Sequence, residues 1–546
     1  MTRKKNGLRL AAAVLGISAL ALTGCTSAAN NGEGGGDNSN GDAASAPITL
    51  GTTDKVTSLD PAGSYDNGSF MVMNQIFPFL LNSEPGSPEP SLSLAESADF
   101  TTPTEYTVKL KSGLKWANGH DLDSKDVKFT FDRQLKIADP NGPSSLLGNV
   151  ESIEAPDAST VVFKLKVAND QTFPQVLTSP VGPIVDDEVF PADELLDDQK
   201  IVEGKAFGGQ YVIDSYNKNN LISFSANDSY AGVLGKPANT KAAIKYYADA
   251  NNLKLEVQEG KIDVAWRSLT PTDIEDLGKD EKLAVHKGPG GELRYIVFNF
   301  DTMPYGAKTS DADEAKALAV RQAAAHLVDR EAIAKNVYKD TYTPAYSYVP
   351  QGFTGAAEPL KDLYGTDGKP DVDKAKKVLE DAGVDTPVKL ALQYNPDHYG
   401  PNSGDEYALV EKQLEADGLF DVDLKSTEWV TYQKQRVTDY PAYQLGWFPD
   451  YSDADNYLSP FFAKDNFLSN NYDNPEVDKL IADQRGMTDA GERTAAIEKL
   501  QSMVAEDLST LPLLQGAQVA VAGKDVKDVD KTLDASFKFR LGVLSK

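Results

Sequence analysis

The sequence predicts an α/β protein built from several packed units, and three observations carry that prediction. Apolar residues recur in steps of two in some stretches and in steps of three or four in others. The two rhythms alternate along the chain. One stretch, 387 to 450, runs strand, helix, strand with short breaks, the pattern of a parallel unit. At 546 residues the chain is long enough for roughly three or four domains or a few large lobes.

The elements follow in order. Tyr106, Val108 and Leu110 alternate with polar residues as a strand, and Val161, Phe163, Leu165 and Val167 alternate against Val162, Lys164 and Lys166. Between them Val127, Phe131 and Leu135 mark a helix capped by Ser124. Ala317, Leu318, Val320, Ala324, Leu327, Val328, Ile333 and Val337 form a stripe that only a helix aligns, within Asp313 to Tyr338. Pro387 to Tyr394 alternates as a strand, and Gly404 to Asp417 then puts Tyr407, Val410 and Leu414 on one helical face and stops at Gly418. Val422 and Leu424 open a second strand and Tyr443 to Phe448 form a third, with Tyr432 to Val437 left unassigned. Asn474-Pro475 caps a further helix, and Ile497, Leu500, Val504 and Leu508 mark another. No solenoid repeat is present.

The first 46 residues are of a different kind. Arg3, Lys4, Lys5 and Arg9 precede an apolar run from Leu8 to Leu22 that is short for a bilayer span, so 1–24 reads as a secretory signal peptide. It ends in Leu22-Thr23-Gly24-Cys25, which resembles a bacterial lipobox. That resemblance implies cleavage before Cys25 and a diacylglyceryl group on its sulfur, hence a lipoprotein on the extracytoplasmic face of the cell membrane. Two acyl chains hold where one is marginal. The alternatives are an ordinary secretory signal or an uncleaved anchor. Residues 25–46 begin with the cysteine and continue mostly as Gly, Asn, Ser, Ala and Asp with no large apolar residue, a flexible tether reaching about 25 Å.

Composition excludes several classes. With 54 Lys plus Arg against 82 Asp plus Glu, the formal charge is -28, and no basic run exists beyond the first nine residues. Nucleic acid is therefore not an expected partner. One cysteine excludes disulfides within the chain and thiolate zinc sites, and four scattered histidines offer no spaced metal pair, so neither a metal nor a cofactor is expected. Catalytic signatures are missing as well. There is no Gly-x-Ser-x-Gly elbow or His-Glu-x-x-His helix, and Gly232 to Pro237 imitates a Walker loop but carries Pro237 where Ser or Thr is required. Asp453-Ala454-Asp455 fails as a calcium loop, with Leu458 in place of Gly and Lys464 in place of Glu.

In open parallel sheets ligands sit beyond the carboxyl ends of strands. Two loops qualify: Asn395 to Gly400 after the first strand of the 387–450 unit, and Pro449 to Asp453 after the third.

At this point several segments, in order, resemble bacterial extracellular solute-binding proteins of family 5, the oligopeptide- and dipeptide-binding subunits of ABC importers. They are Ser58-Leu59-Asp60-Pro61, Leu94-Ala95-Glu96-Ser97, Asn118 to Leu122 with Lys125 to Phe131, Val320 to Arg330, Ala375 to Gly383, and Gly446 to Tyr451. The resemblance spans nearly the whole chain after the tether. It implies a two-lobed, periplasmic-binding-protein-like fold of type II with an extra subdomain in the N-terminal lobe. Residues 47–78, 205–295 and 509–546 would form the core of lobe I, 79–204 the extra subdomain, and 296–508 lobe II. It also implies a monomer that captures peptides and hands them to ABC permease subunits.

The resemblance further implies site residues. In peptide-binding members the aspartate of a Trp-x-x-Asp motif meets the ligand's α-ammonium, which here is Asp450 with Trp447; capping of a turn is the alternative role. Ungapped alignment from Leu59-Asp60-Pro61 places Tyr65, Asp66 and Asn67 where protein main chain should pair with the extended ligand, against the alternative of a surface turn. Trp447, Tyr451 and Tyr399 are candidate walls of side-chain pockets, or else packing residues. Dipeptide-type members fix the ligand carboxylate with an arginine, and the 395–400 loop has none. Arg436 is the nearest candidate, with His398 a substitute if protonated. Family 5 also covers nickel complexes, oligosaccharides and opines, so a non-peptide solute is an alternative, followed by a secreted hydrolase and a surface adhesin.

Overall fold

A computed structural model of the protein describes residues 47–546; the expected signal peptide, the lipidation site at Cys25 and the tether lie outside the described residues. The fold is α/β and two-lobed. Eleven strands form one continuous sheet shared by both lobes. At its centre Leu283–Phe298 and Thr510–Gly523 run antiparallel. On one side their lower halves continue through Val264–Trp266 and the parallel strands Ile48–Thr52 and Lys241–Tyr246. On the other, Leu293 to Phe298 pairs with Ala442–Trp447, which leads to Val388–Tyr394 and Phe420–Ser426. Both ends of the described chain thus meet in the first lobe.

Between the two halves the central register slips. Pro289 faces Ala517 and pairing resumes only at Leu293 with Gln515. A Cβ on Gly290 would lie 2.0 Å from the Gly516 carbonyl oxygen, so the strands approach there as only glycine allows.

Three large cores follow from this layout. One gathers Leu50, Phe77, Trp266 and Phe539 in the first lobe, and another gathers Tyr295, Val320, Leu390, Tyr407 and Leu500 in the second. The third, with Val108, Trp116, Phe131 and Phe163, fills a separate four-stranded antiparallel sheet between Ala95 and Leu165, covered by the helix Ser124–Ile137. The alternation read in residues 106–110 and 161–165 is that of this sheet, whose apolar face is buried, while Val167 lies beyond the strand and is exposed. Among the described residues no helix is long and apolar enough to cross a membrane.

The strand–helix–strand unit forms in parallel, Val388 opposite Phe420 through Tyr394 opposite Ser426, with Tyr407, Val410 and Leu414 of the helix Ser403–Leu414 buried. Three local readings change. The helix after residue 122 is capped by Asp123, not Ser124; Asp126 closes a reciprocal box, and the Ser124 hydroxyl donates to the Asp157 carbonyl. Leu135 is 38 % exposed and falls off the buried stripe. The 313–338 stripe is two helices, Glu314–Leu327 and Arg330–Asn336, because Val328 turns extended and the Asp329 side chain caps a new start. The unassigned stretch begins within the helix Trp429–Gln435, which Glu428 caps.

Candidate functional site

The strand Ala442–Trp447 ends between the lobes and delivers Phe448 to Ser452 into a cavity of about 360 Å³. Asn456, in the helix Asp455–Phe462 that follows, shapes this loop. Its side-chain oxygen accepts from the Trp447 indole at 3.1 Å and from the Asp450 amide at 2.8 Å, while its amide group donates to the Asp450 carboxylate at 3.1 Å. The other Asp450 oxygen accepts from the Tyr65 hydroxyl, which belongs to the first lobe. Burial and the neighbouring Asp450 charge push the Tyr65 phenol far above its ordinary range, so it stays a donor. Among the described residues no Lys, Arg or His forms an ion pair with Asp450, although the side chain is half-buried.

Five of the expected site residues line this cavity: Tyr65, Asp66, Asn67, Asp450 and Tyr451. Their states differ. The Asp66 carboxylate caps the helix Asn67–Ile76, accepting from the Ser69 amide at 2.8 Å and from the Thr57 and Ser69 hydroxyls. Asn67 is already helical, so of the expected main-chain pairing segment only Tyr65 and Asp66 lie outside the helix. The Tyr451 ring packs against the core of the extra subdomain, and its hydroxyl donates to Asp455 at 3.2 Å.

The other three sit elsewhere. The Trp447 ring lies edge-on to Phe461 at 5.1 Å and lines neither inter-lobe cavity, so its tie to the site runs through Asn456. Arg436 is corrected as an anchor. It is buried in the second lobe, and its guanidinium donates to the Leu468 carbonyl at 2.7 Å and the Phe467 carbonyl at 3.3 Å, away from both cavities. Tyr399 lines a second cavity of about 370 Å³ together with His398. Gly446 permits this, since a Cβ there would meet the Tyr399 ring at 2.8 Å. His398 stacks on Trp429 at 3.8 Å, and burial pushes its pKa below the ordinary value. It is therefore neutral at pH 7 and no substitute for an arginine.

The second cavity contains charge that the sequence reading passed over. Glu292 and Arg294 lie in the strand Leu283–Phe298, on a stretch otherwise apolar. Arg294 donates to Glu292 at 3.0 Å, to Glu406 at 3.1 Å, to the Tyr338 and Tyr342 hydroxyls, and to the Tyr399 carbonyl at 2.7 Å. Two charged residues one apart in a buried strand are the signal that would have found them. Phe448 and Phe537, with ring centroids 5.8 Å apart, line both cavities and form the wall they share.

Comparison with known proteins gives this geometry a context. The chain is 27 % identical over 504 residues, 86 % of this chain and 89 % of the other, to Di/tripeptide-binding protein 1 of Pseudomonas aeruginosa (strain UCBPP-PA14). It is 26 % identical to the oligopeptide-binding protein OppA of Bacillus subtilis (strain 168), covering 94 % of this chain and 95 % of that one. Its fold matches the ABC transporter substrate-binding protein CtaP from Listeria monocytogenes with a TM-score of 0.76 at 23 % identity, over 92 % of this chain and 99 % of that one. Residues 89–469 match the middle region of the bacterial extracellular solute-binding proteins, family 5. The chain, with its two lobes and its loops converging between them, belongs to family 5 of the bacterial extracellular solute-binding proteins.

Proposed function

We propose that this protein captures peptides outside the cell and delivers them to the permease of an ABC importer, held at the membrane by a lipid on Cys25, and that it performs no catalysis. The observation that carries the reading is Asp450. Its carboxylate lies at a strand end between the lobes, held by Asn456 and Tyr65, and among the described residues no Lys, Arg or His forms an ion pair with it. A half-buried carboxylate of that kind is complementary to an ammonium group, and a charge-assisted hydrogen bond contributes roughly 1.5–3 kcal/mol. The peptide-binding names of the relatives support the same chemistry.

Closure is then a hinge motion about the central strand pair, in which ligand favours the closed arrangement by binding it better. Calorimetry with a tripeptide and its N-acetylated form tests the amine anchor. Asp450→Asn is expected to weaken binding of the free-amine peptide about 30-fold, the equivalent of ~2 kcal/mol, and to leave the N-acetylated form unchanged. Equal affinity of wild type and variant for the free amine would remove Asp450 from the site and favour the non-peptide alternative.

A further inference from the structure

The extra subdomain touches the second lobe beside the cleft, through the segment 168–172. The chain leaves the strand Thr160–Leu165, turns at Asn169 with φ +53°, and presents Asp170 ahead of the short helix Phe173–Val176. Asparagine tolerates that left-handed turn better than most residues. The Asp170 carboxylate is 1 % exposed, and its own subdomain offers it only neutral donors: Asn149 at 2.6 Å, and the Thr172 amide and hydroxyl at 3.1 and 2.7 Å. Its one ion pair among the described residues crosses to Arg485 of the second lobe, at 3.2 Å.

Arg485 is the last residue of the helix Pro475–Arg485, where backbone carbonyls have no partner within the helix. The Gln171 amide supplies one from across the boundary, donating to the Arg485 carbonyl at 2.8 Å. The Arg485 guanidinium also faces Asp455: its Nε lies 3.8 Å from that carboxylate and is buried without a hydrogen bond. A single cation is thus shared by two buried carboxylates, one from each side of the boundary. Arg493 does not relieve the second, since its terminal nitrogens go to Asp453 at 2.9 and 2.7 Å. Asp455 also accepts from the Tyr451 hydroxyl, and the Tyr451 ring both lines the 360 Å³ cavity and packs on the subdomain core. Contacts therefore run unbroken from the cavity through Tyr451, Asp455 and Arg485 to Asp170.

We propose that the extra subdomain is a latch on the second lobe, centred on Arg485, which sets how often the cleft opens and how fast a bound solute leaves. Opening draws Arg485 away from Asp170, removes the Gln171 amide from the helix end and lifts the Tyr451 ring off the apolar core. A buried carboxylate deprived of its cation is costly until water reaches it, so the three contacts yield together. Opening follows from the two-lobed fold alone, while the effect on solute release rests on the peptide reading above.

Hydrogen–deuterium exchange of the full chain without peptide reads the opening, at segments 166–173 and 448–456. Arg485→Met is expected to speed exchange in both by about tenfold or more, the loss of one charge-assisted hydrogen bond, and to leave the helix Ser124–Ile137 unchanged. Asp170→Asn acts in the same direction, and the double variant exchanges no faster than Arg485→Met alone, because both substitutions remove one contact. Lys479→Met breaks the exposed pair with Asp483 on the same helix and is expected to change neither segment. In a second arm the protein is loaded with random tripeptides and diluted, and the peptide still bound is weighed over time by mass spectrometry. Arg485→Met is expected to release about tenfold faster, with uptake within about twofold of wild type. Unchanged exchange at both segments in Arg485→Met overturns the latch, and so does a rise that extends equally to Ser124–Ile137, which marks a general loss of stability. Should that variant fold poorly, unchanged exchange in Asp170→Asn overturns it instead. Failure of wild type to retain any tripeptide counts against the peptide reading, and the exchange rates still decide the latch.

Discussion

Asp60 and Arg133 show how a motif residue does its work at a distance from any ligand. The guanidinium donates to both Asp60 oxygens, at 2.8 and 2.6 Å, and both side chains are fully buried. Asp60 also accepts from the Ala62 and Leu196 amides, and Arg133 donates to the Pro191 and Glu194 carbonyls. The pair therefore pins the first lobe to the extra subdomain's helix. Removing one partner of a buried pair leaves an uncompensated charge, which typically costs 3–5 kcal/mol. Asp60→Ala is expected to lower the unfolding free energy measured in urea by that order, while Asp60→Ala with Arg133→Met recovers part of the loss. The sequence placed Asp60 in a family motif but not in an ion pair, since its partner lies 73 positions away. The same limit hid Arg294, whose meaning depends on which neighbours consume its donors. The position of Asp450 at the cleft was legible because it follows from a strand end and a short motif, both local.

Elements were most legible where periodicity alone decides them. The stripes of Ser403–Leu414 and Ala490–Asp507 are long and regular, and they fold as read except at their ends, where Asp417 and Leu508 turn left-handed outside the helices. Boundaries depended instead on which of several polar residues wins the cap, as at Asp123 and Asp329. The capping box of the helix Ser124–Ile137 also titrates. Burial is the largest influence on Asp126 and pushes its carboxyl up to about 7, with Asp187 and Asp186 adding repulsion against its own hydrogen bonds from the Asp123 and Asp187 amides. A carboxyl raised in the folded state binds protons that the unfolded chain releases, so its contribution is complete below about pH 4 and is lost as pH rises through about 7. The bound on this effect is about 4 kcal/mol. His120 adds a loss of the same sign above its ordinary value, because its hydrogen bond to Asp186 raises its pKa. Chemical denaturation between pH 4.5 and 7.5 is expected to show falling stability in wild type and a flatter profile in Asp126→Asn.

At the scale of the whole molecule, the cleft is held by contacts from both lobes: Tyr65 to Asp450, Phe537 to Phe448, and Asp170 to Arg485 at 3.2 Å. A ligand that enters must work through this set, and one that binds the native state alone stabilises it by about 2.7 kcal/mol at a hundredfold excess over Kd. A retained peptide is accordingly expected to raise the thermal midpoint by a few degrees, and Asp450→Asn to cut the rise for free-amine peptides to about a third at the same ligand concentration; differential scanning calorimetry reads both. The α/β class and the two-lobed arrangement were legible, the first from rhythm and the second from ordered motifs. The sharing of one sheet between the lobes was not. It depends on Leu283–Phe298 pairing along its length with Thr510–Gly523, more than two hundred residues later, which no local pattern reports.

That shared pair has an evolutionary corollary. Since each of the two long strands contributes one half to either lobe, neither lobe can be lifted out as a cassette and exchanged with that of a relative, for the graft would arrive with a torn sheet. New specificity in such a scaffold has to come from the loops at the strand ends, while the ribbon that joins the halves is inherited whole.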